Sequence, residues 1–313
     1  MLRPDFRHRL VNHIQSLLLI AGMAAIAWLC ISAVAGGMLT LLVVAGAILG
    51  LLLAPGMPKR VLLSAYHAQR LRGAEFPEGA ALLAELAQRA GLPQRPELYY
   101  IPSSMPNAFA VGDPEDSAVC VTDGLLRLLD RREFAGVLAH EVAHIAARDL
   151  WIMAVADVMS RVVSLASWVG QLILLLNVPL LLAGAAVVPW HVPLLLIFSP
   201  TLMSLLQLAL SRTREFDADR NAVRLTGDAG GLASALMKLE RRTGRFWEDI
   251  FLPGRRIPEP SLLRTHPPTE ARVARLRDLA GASTPPRRPA RPLDIHRPAV
   301  LRRPGYGRYG VYR

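Results

Sequence analysis

The sequence predicts a mainly α membrane protein, with about four hydrophobic membrane helices and a polar α+β part that carries a small sheet. Three observations predict it. No Asp, Glu, Lys or Arg occurs from Leu10 to Pro58. None occurs from Val162 to Ser211 either. The stretch between these blocks has the mixed patterning of a globular fold. Hydrophobic residues make up 52% of the 313-residue chain, which is high for a water-soluble protein.

The strongly apolar part of the first block runs over residues 17–55, about twice the ~20 residues that one helical span needs. Gly36 and Gly37 fall near its middle, where a tight turn would be wanted. Residues 1–58 therefore read as a pair of transmembrane helices, and a cleaved leader would be much shorter. Arg3, Arg7 and Arg9 precede the block; Lys59, Arg60, Arg70 and Arg72 follow it. Positive flanks stay inside, so both ends are placed on the cytoplasmic side of the inner (plasma) membrane. The second block, residues 150–210, begins with Asp157 and Arg161 in its first turns and is interrupted by Pro179, Pro189, Pro193 and Pro200. The prolines blur its helix ends. Its length and lack of charge favour a membrane hairpin over a hairpin buried in a soluble core.

The polar remainder falls into residues 59–149 and 211–281. Glu78 to Ala90 reads as an amphipathic helix stopped by Gly91-Leu92-Pro93. Short strands are predicted at 98–101, 108–111 and 118–121, the last two separated by the turn signal Gly112-Asp113-Pro114. Thr122 or Asp123 offers an N-cap for a helix through Leu129, and another helix starts near Arg131. Further helices are predicted over 212–225, 231–243 and 269–280. Residues 282–313 form a basic, Pro/Arg-rich tail with a disordered composition.

The formal net charge of +11 resembles a nucleic-acid signal until it is located. Residues 287–313 alone carry eight arginines against one acid, Asp294. No nucleic-acid motif accompanies them, and a basic segment in a chain with membrane helices meets anionic lipid more readily than DNA. No nucleic-acid partner is expected. The two cysteines, Cys30 and Cys120, form no C-x-x-C pair, so a bound metal must be held by His and carboxylate.

His140-Glu141-Val142-Ala143-His144 supplies the chemistry. Four residues apart on a helix, His140 and His144 share one face and can ligate one cation, with Glu141 beside them to activate a water. The bland alternative is a charged helix face with two incidental histidines. Phe134, Val137, Leu138, Val142 and Ile145 make this helix mostly apolar, and polar groups on an apolar helix need a partner.

A catalytic zinc usually takes a third protein ligand. Ala147 and Leu150 stand where a metzincin would have its glycine and third histidine, and no Glu lies between Glu141 and Glu215. Asp149, five residues past His144, points away from the metal on a continuous helix. Glu215 and Asp219 share a helix face in Arg214-Glu215-Phe216-Asp217-Ala218-Asp219. Glu215 as ligand and Asp219 as hydrogen-bond support for a ligand histidine complete the site; a solvated helix with Arg/Glu pairs is the alternative. His144 and Glu215 can meet at one metal only if the hydrophobic block between them crosses the membrane an even number of times, or not at all.

Several motifs in order resemble the HtpX-type membrane metalloproteases, relatives of the CAAX prenyl proteases. They are Pro106-Asn107-Ala108-Phe109-Ala110-Val111-Gly112, Thr122-Asp123-Gly124-Leu125-Leu126, His140 to His144, Ser211 to Asp219, and Thr265-His266-Pro267-Pro268. The resemblance covers about residues 77–279 and leaves the tail without support. It implies a zincin-like catalytic domain with an edge-strand sheet, and one zinc ion bound by His140, His144 and Glu215. Glu141 would be the general base and Asp219 a support. His266 would stabilise the oxyanion, and Asn107, Ala108, Phe109 and Ala110 would bind substrate backbone. The activity implied is hydrolysis of damaged or misfolded membrane proteins. An inactive scaffold with a structural zinc, or a basic adaptor working through its tail, are the rival classes. The intact Glu141 argues against the first, because a closed structural site needs no base.

Overall fold

The computed structural model describes residues 11–12, 14–34, 59–185, 188–250 and 269–281. The chain divides into two compact units: one made of Met1–Gly56 and Trp151–Arg214, the other of Met57–Leu150 and Glu215–Arg313. Each is assembled from two separate stretches of sequence.

Three helices are long and apolar enough to cross a membrane: α1 (Ile14–Val34), α6 (Asp149–Leu182) and α7 (His191–Thr226). The second N-terminal span expected before Pro58 lies outside the described residues, so three of the four expected hydrophobic helices are seen. In the apolar unit, Met23, Ala27 and Cys30 of α1 pack with Ala156 and Val163 of α6 and with Leu196 and Met203 of α7. The outer faces stay apolar, as at Leu165, Trp168, Leu175 and Phe198, each more than 60% exposed. Side chains of that kind are stable when lipid surrounds them.

The second hydrophobic block folds as two helices. A Cβ on Gly170 would meet the Leu196 Cβ at 2.5 Å, so the glycine lets α6 and α7 approach closely. Near the tip, Asn177 Nδ2 donates to the Val188 carbonyl at 2.7 Å and Asn177 Oδ1 accepts from the Val188 N–H at 3.1 Å. Pro179 and Pro200 lie inside α6 and α7 without ending them. Past Pro200 nothing in the sequence breaks the helix, so the expected separate helix over 212–225 is the last part of α7.

In the polar unit, α2 (Lys59–Ala65) leads into a four-stranded sheet. Its strands are β1 (Gln69–Arg70), β2 (Glu97–Ile101), β3 (Ala108–Gly112) and β4 (Ser117–Thr122), in the order β1-β2-β4-β3. β2 runs parallel to β4, and the other pairs are antiparallel. Helix α3 (Pro77–Ala90) starts with proline in its first turn and ends on Gly91 in the left-handed region, φ 71°. Both devices suit those positions.

Thr122 caps α4 (Asp123–Leu128) by accepting from the Leu125 N–H. Asp130 and Glu133 form a reciprocal capping box at the start of α5 (Arg131–Ala146), a motif that stabilises by about 1 kcal/mol. Phe134, Leu138, Val142 and Ile145 of α5 are buried with Leu83, Tyr100 and Val119 in the main core. Helix α8 (Ala229–Ile250) packs on α5, and α9 (Thr269–Gly281) packs on α8. A Cβ on Gly136 would come within 3.0 Å of Leu232 backbone. Its absence lets the two helices touch.

Candidate metal centre

The four-residue spacing sets His140 and His144 on one face of α5, their rings edge to face with centroids 4.6 Å apart. Their Nε2 atoms face each other at 3.1 Å. Glu215, buried on α7, brings its carboxylate oxygens to 3.5 Å from His140 Nε2 and 3.6 Å from His144 Nε2. One ligand atom from each of these three residues lies within 4.8 Å of the others.

The opposite edge of each ring is held by a carboxylate. His140 Nδ1 lies 3.0 Å from Asp219 Oδ1, and His144 Nδ1 lies 2.8 Å from Asp149 Oδ2. A carboxylate only accepts, so each Nδ1 is the donor to it, which leaves each Nε2, once unprotonated, as the nitrogen able to ligate a cation. Two lone pairs and a carboxylate pointed at one spot repel unless a positive charge sits among them. The electrostatics agree. Burial and the neighbouring imidazole oppose a charge on His140, yet Asp219 and Glu215 raise its pKa. Burial opposes it on His144 too, but Asp149 and Glu215 carry the pKa well above the usual value. The donor set is the nitrogen and oxygen set that suits a tetrahedral zinc.

A buried arginine completes the arrangement. From α9, Arg272 donates Nε–H to Asp219 Oδ2 at 2.8 Å and Nη2–H to Asp219 Oδ1 at 2.6 Å. Its Nη1 lies 3.0 Å from Glu215 Oε2. Burial works against ionising Asp219, but Arg272 and His140 hold its pKa down to about 2. Glu215 and Asp219, one turn apart on α7, are thus clamped by one guanidinium.

Glu141 follows His140 on α5 and is partly exposed. His266 lies outside the described residues. Asn107 precedes the edge strand β3; its N–H donates to Thr122 Oγ1 at 2.8 Å and its carbonyl accepts the Thr122 N–H at 3.0 Å. With Asn107 turned to β4, antiparallel alternation directs the N–H and C=O of Ala108 and Ala110 to the other side. No strand pairs there among the described residues. Asn107 and Ala108 are partly exposed and Ala110 is buried. The Phe109 ring is buried against Tyr66, with centroids 5.2 Å apart, so its side chain serves the core.

Sequence reasoning passed over two residues. A continuous helix would turn Asp149 away from the metal. Instead α5 ends at Ala146 and Arg148 turns through φ 55°, so Asp149 opens a new helix beside the His144 ring. The signal available was an acidic residue able to start the second hydrophobic helix. Arg272 gave no signal of its own, since only the fold shows which arginine of a basic helix is buried.

A model of Peptidase family M48 matches residues 74–280. The "Protease HtpX homolog" of Thermococcus kodakarensis is 41% identical over 235 residues, which is 71% of this chain and 80% of that relative. The protein of the same description from Acaryochloris marina is 41% identical over 232 residues, 69% of this chain and 77% of the relative. Among solved structures, the crystal structure of S. mikatae Ste24p aligns with a TM-score of 0.45 and 19% identity. That alignment covers 85% of this chain and 65% of the other. The extent of the family match and the identity to these relatives show that the chain belongs to peptidase family M48, as an HtpX-type membrane metalloprotease.

Proposed function

We propose that the chain is a zinc-dependent endopeptidase of the inner (plasma) membrane, its active site facing the cytoplasm, that degrades damaged or misfolded membrane proteins. The observation that carries this reading is the convergence of His140, His144 and Glu215 ligand atoms on one spot, with Glu141 following His140 on the same helix. One zinc ion held by these three residues would act as a Lewis acid and bring the pKa of a bound water to about 7.

The remaining work falls to side chains. Asp219 and Asp149 fix the tautomer of the two histidines, so that both offer Nε2. Glu141 accepts the proton of the attacking water and later returns it to the leaving amine. His266 is assigned a hydrogen bond to the developing oxyanion. An extended substrate adds beside β3 at Asn107, Ala108, Phe109 and Ala110, where the backbone groups of Ala108 and Ala110 provide affinity with little sequence choice. That tolerance suits misfolded substrates. The basic flanks of the hydrophobic blocks support the cytoplasmic orientation.

The test is cleavage of an unfolded protein substrate by the purified full chain in detergent. Glu141→Gln is expected to keep its metal and lose activity by about a hundredfold or more. Glu215→Gln is expected to lose metal by elemental analysis. A Glu141→Gln protein that cleaves at the wild-type rate removes the mechanism.

A further inference from the structure

A pocket of about 550 Å³ opens on the polar unit, and Arg70, Arg72, Arg95 and Glu97 are among the residues that line it. The guanidiniums come from β1, the turn after it and the approach to β2. The β1–β2 pairing and the bond from the Leu71 N–H to the Leu98 carbonyl, 2.9 Å, hold them together. Glu97 is already neutralised twice, by Lys59 at 2.9 Å and Arg70 at 2.7 Å. Arg95 is steadied by donating Nη2–H to the Ala80 carbonyl at 2.6 Å. Glu75 Oε2 accepts from the Arg72 backbone N–H at 2.8 Å, and among the described residues no ion pair joins an acidic side chain to the guanidinium of Arg72 or Arg95. Arginine thus outnumbers acid around a concave space of the size that holds a small ligand.

Forked guanidiniums match the oxygens of a phosphate. Chain position points to where such a phosphate would come from. Arg70 and Arg72 belong to the basic flank that follows the uncharged block ending at Pro58. Basic residues that follow a membrane segment in the chain are drawn to the negative surface of a bilayer. We infer that this pocket binds the phosphate of an acidic phospholipid headgroup.

The test uses the full chain, delipidated in a neutral detergent, titrated calorimetrically with short-chain phosphatidylglycerol. Phosphatidylcholine of the same chain length and inorganic phosphate form the other arms. Arg72 and Arg95 are both exposed, so the double variant Arg72→Gln/Arg95→Gln should fold; a melting curve checks this. The expected result is saturable phosphatidylglycerol binding, weakened about tenfold or more in the double variant, with phosphatidylcholine and inorganic phosphate binding at least tenfold more weakly. Equal binding by the double variant, or by phosphatidylcholine, overturns the proposal. Inorganic phosphate binding as tightly as the lipid would make this a free-anion site and also overturn it. A chelator should leave the titration unchanged, which separates this outcome from any failure of the peptidase reading.

Discussion

His144 and Asp149 meet at 2.8 Å, Nδ1 to Oδ2, across the break between α5 and α6. The first residue of an apolar helix thereby orients an imidazole at the end of the preceding one. Both side chains are largely buried, at 14% and 4% exposed, so water cannot easily take the carboxylate's place. Asp149→Ala is expected to weaken metal affinity by about 10–100-fold. Asp149→Asn, which keeps an acceptor, should lose less. Competition with a chromophoric chelator measures both, and equal affinity for all three proteins would show that Asp149 has no part in holding the ring.

Arg272 supplies the charge that lets Glu215 and Asp219 lie buried one helical turn apart. Removing one member of such a group leaves uncompensated charge and costs about 3–5 kcal/mol. Arg272→Met should therefore melt well below wild type when metal is chelated. With metal restored the gap should narrow, because the cation answers part of the same negative charge. A gap independent of metal would contradict the coupling.

Glu133 joins the start of α5 to α8, accepting from Ser234 at 2.6 Å and Lys238 at 2.7 Å. Burial opposes its ionisation, but Lys238, Ser234 and the Asp130 N–H outweigh it and lower the pKa from 4.5. A folded-state pKa below the unfolded one gives stability that is present above about pH 4.5 and lost as pH falls through the folded value. Glu133→Gln should thus cost about 1–3 kcal/mol at pH 7. The difference from wild type should shrink in melts below pH 4.5, and a difference that grows on acidification would contradict this assignment.

Much of this arrangement can be read from residue spacing, because spacing is local. The i, i+4 relations of His140 with His144 and of Glu215 with Asp219 need only a helix, and both pairs lie on helices. The strands at β2, β3 and β4 announce themselves by apolar runs between turn residues. β1 does not, since its two residues are exposed and only pairing with Tyr99 and Tyr100 makes it a strand. Contacts that depend on where a helix stops, or on which of many arginines turns inward, were not legible. Asp149 needed the left-handed turn at Arg148. Arg272 needed the packing of α9.

The polar unit is drawn from two stretches, residues 57–150 and 215–313, with residues 151–214 belonging to the other unit. During synthesis the histidine pair and then the whole apolar hairpin are translated before Glu215. On the assigned donor set, a growing chain shorter than that lacks its third ligand. The peptidase would be inert towards itself and its neighbours until both apolar helices have been made.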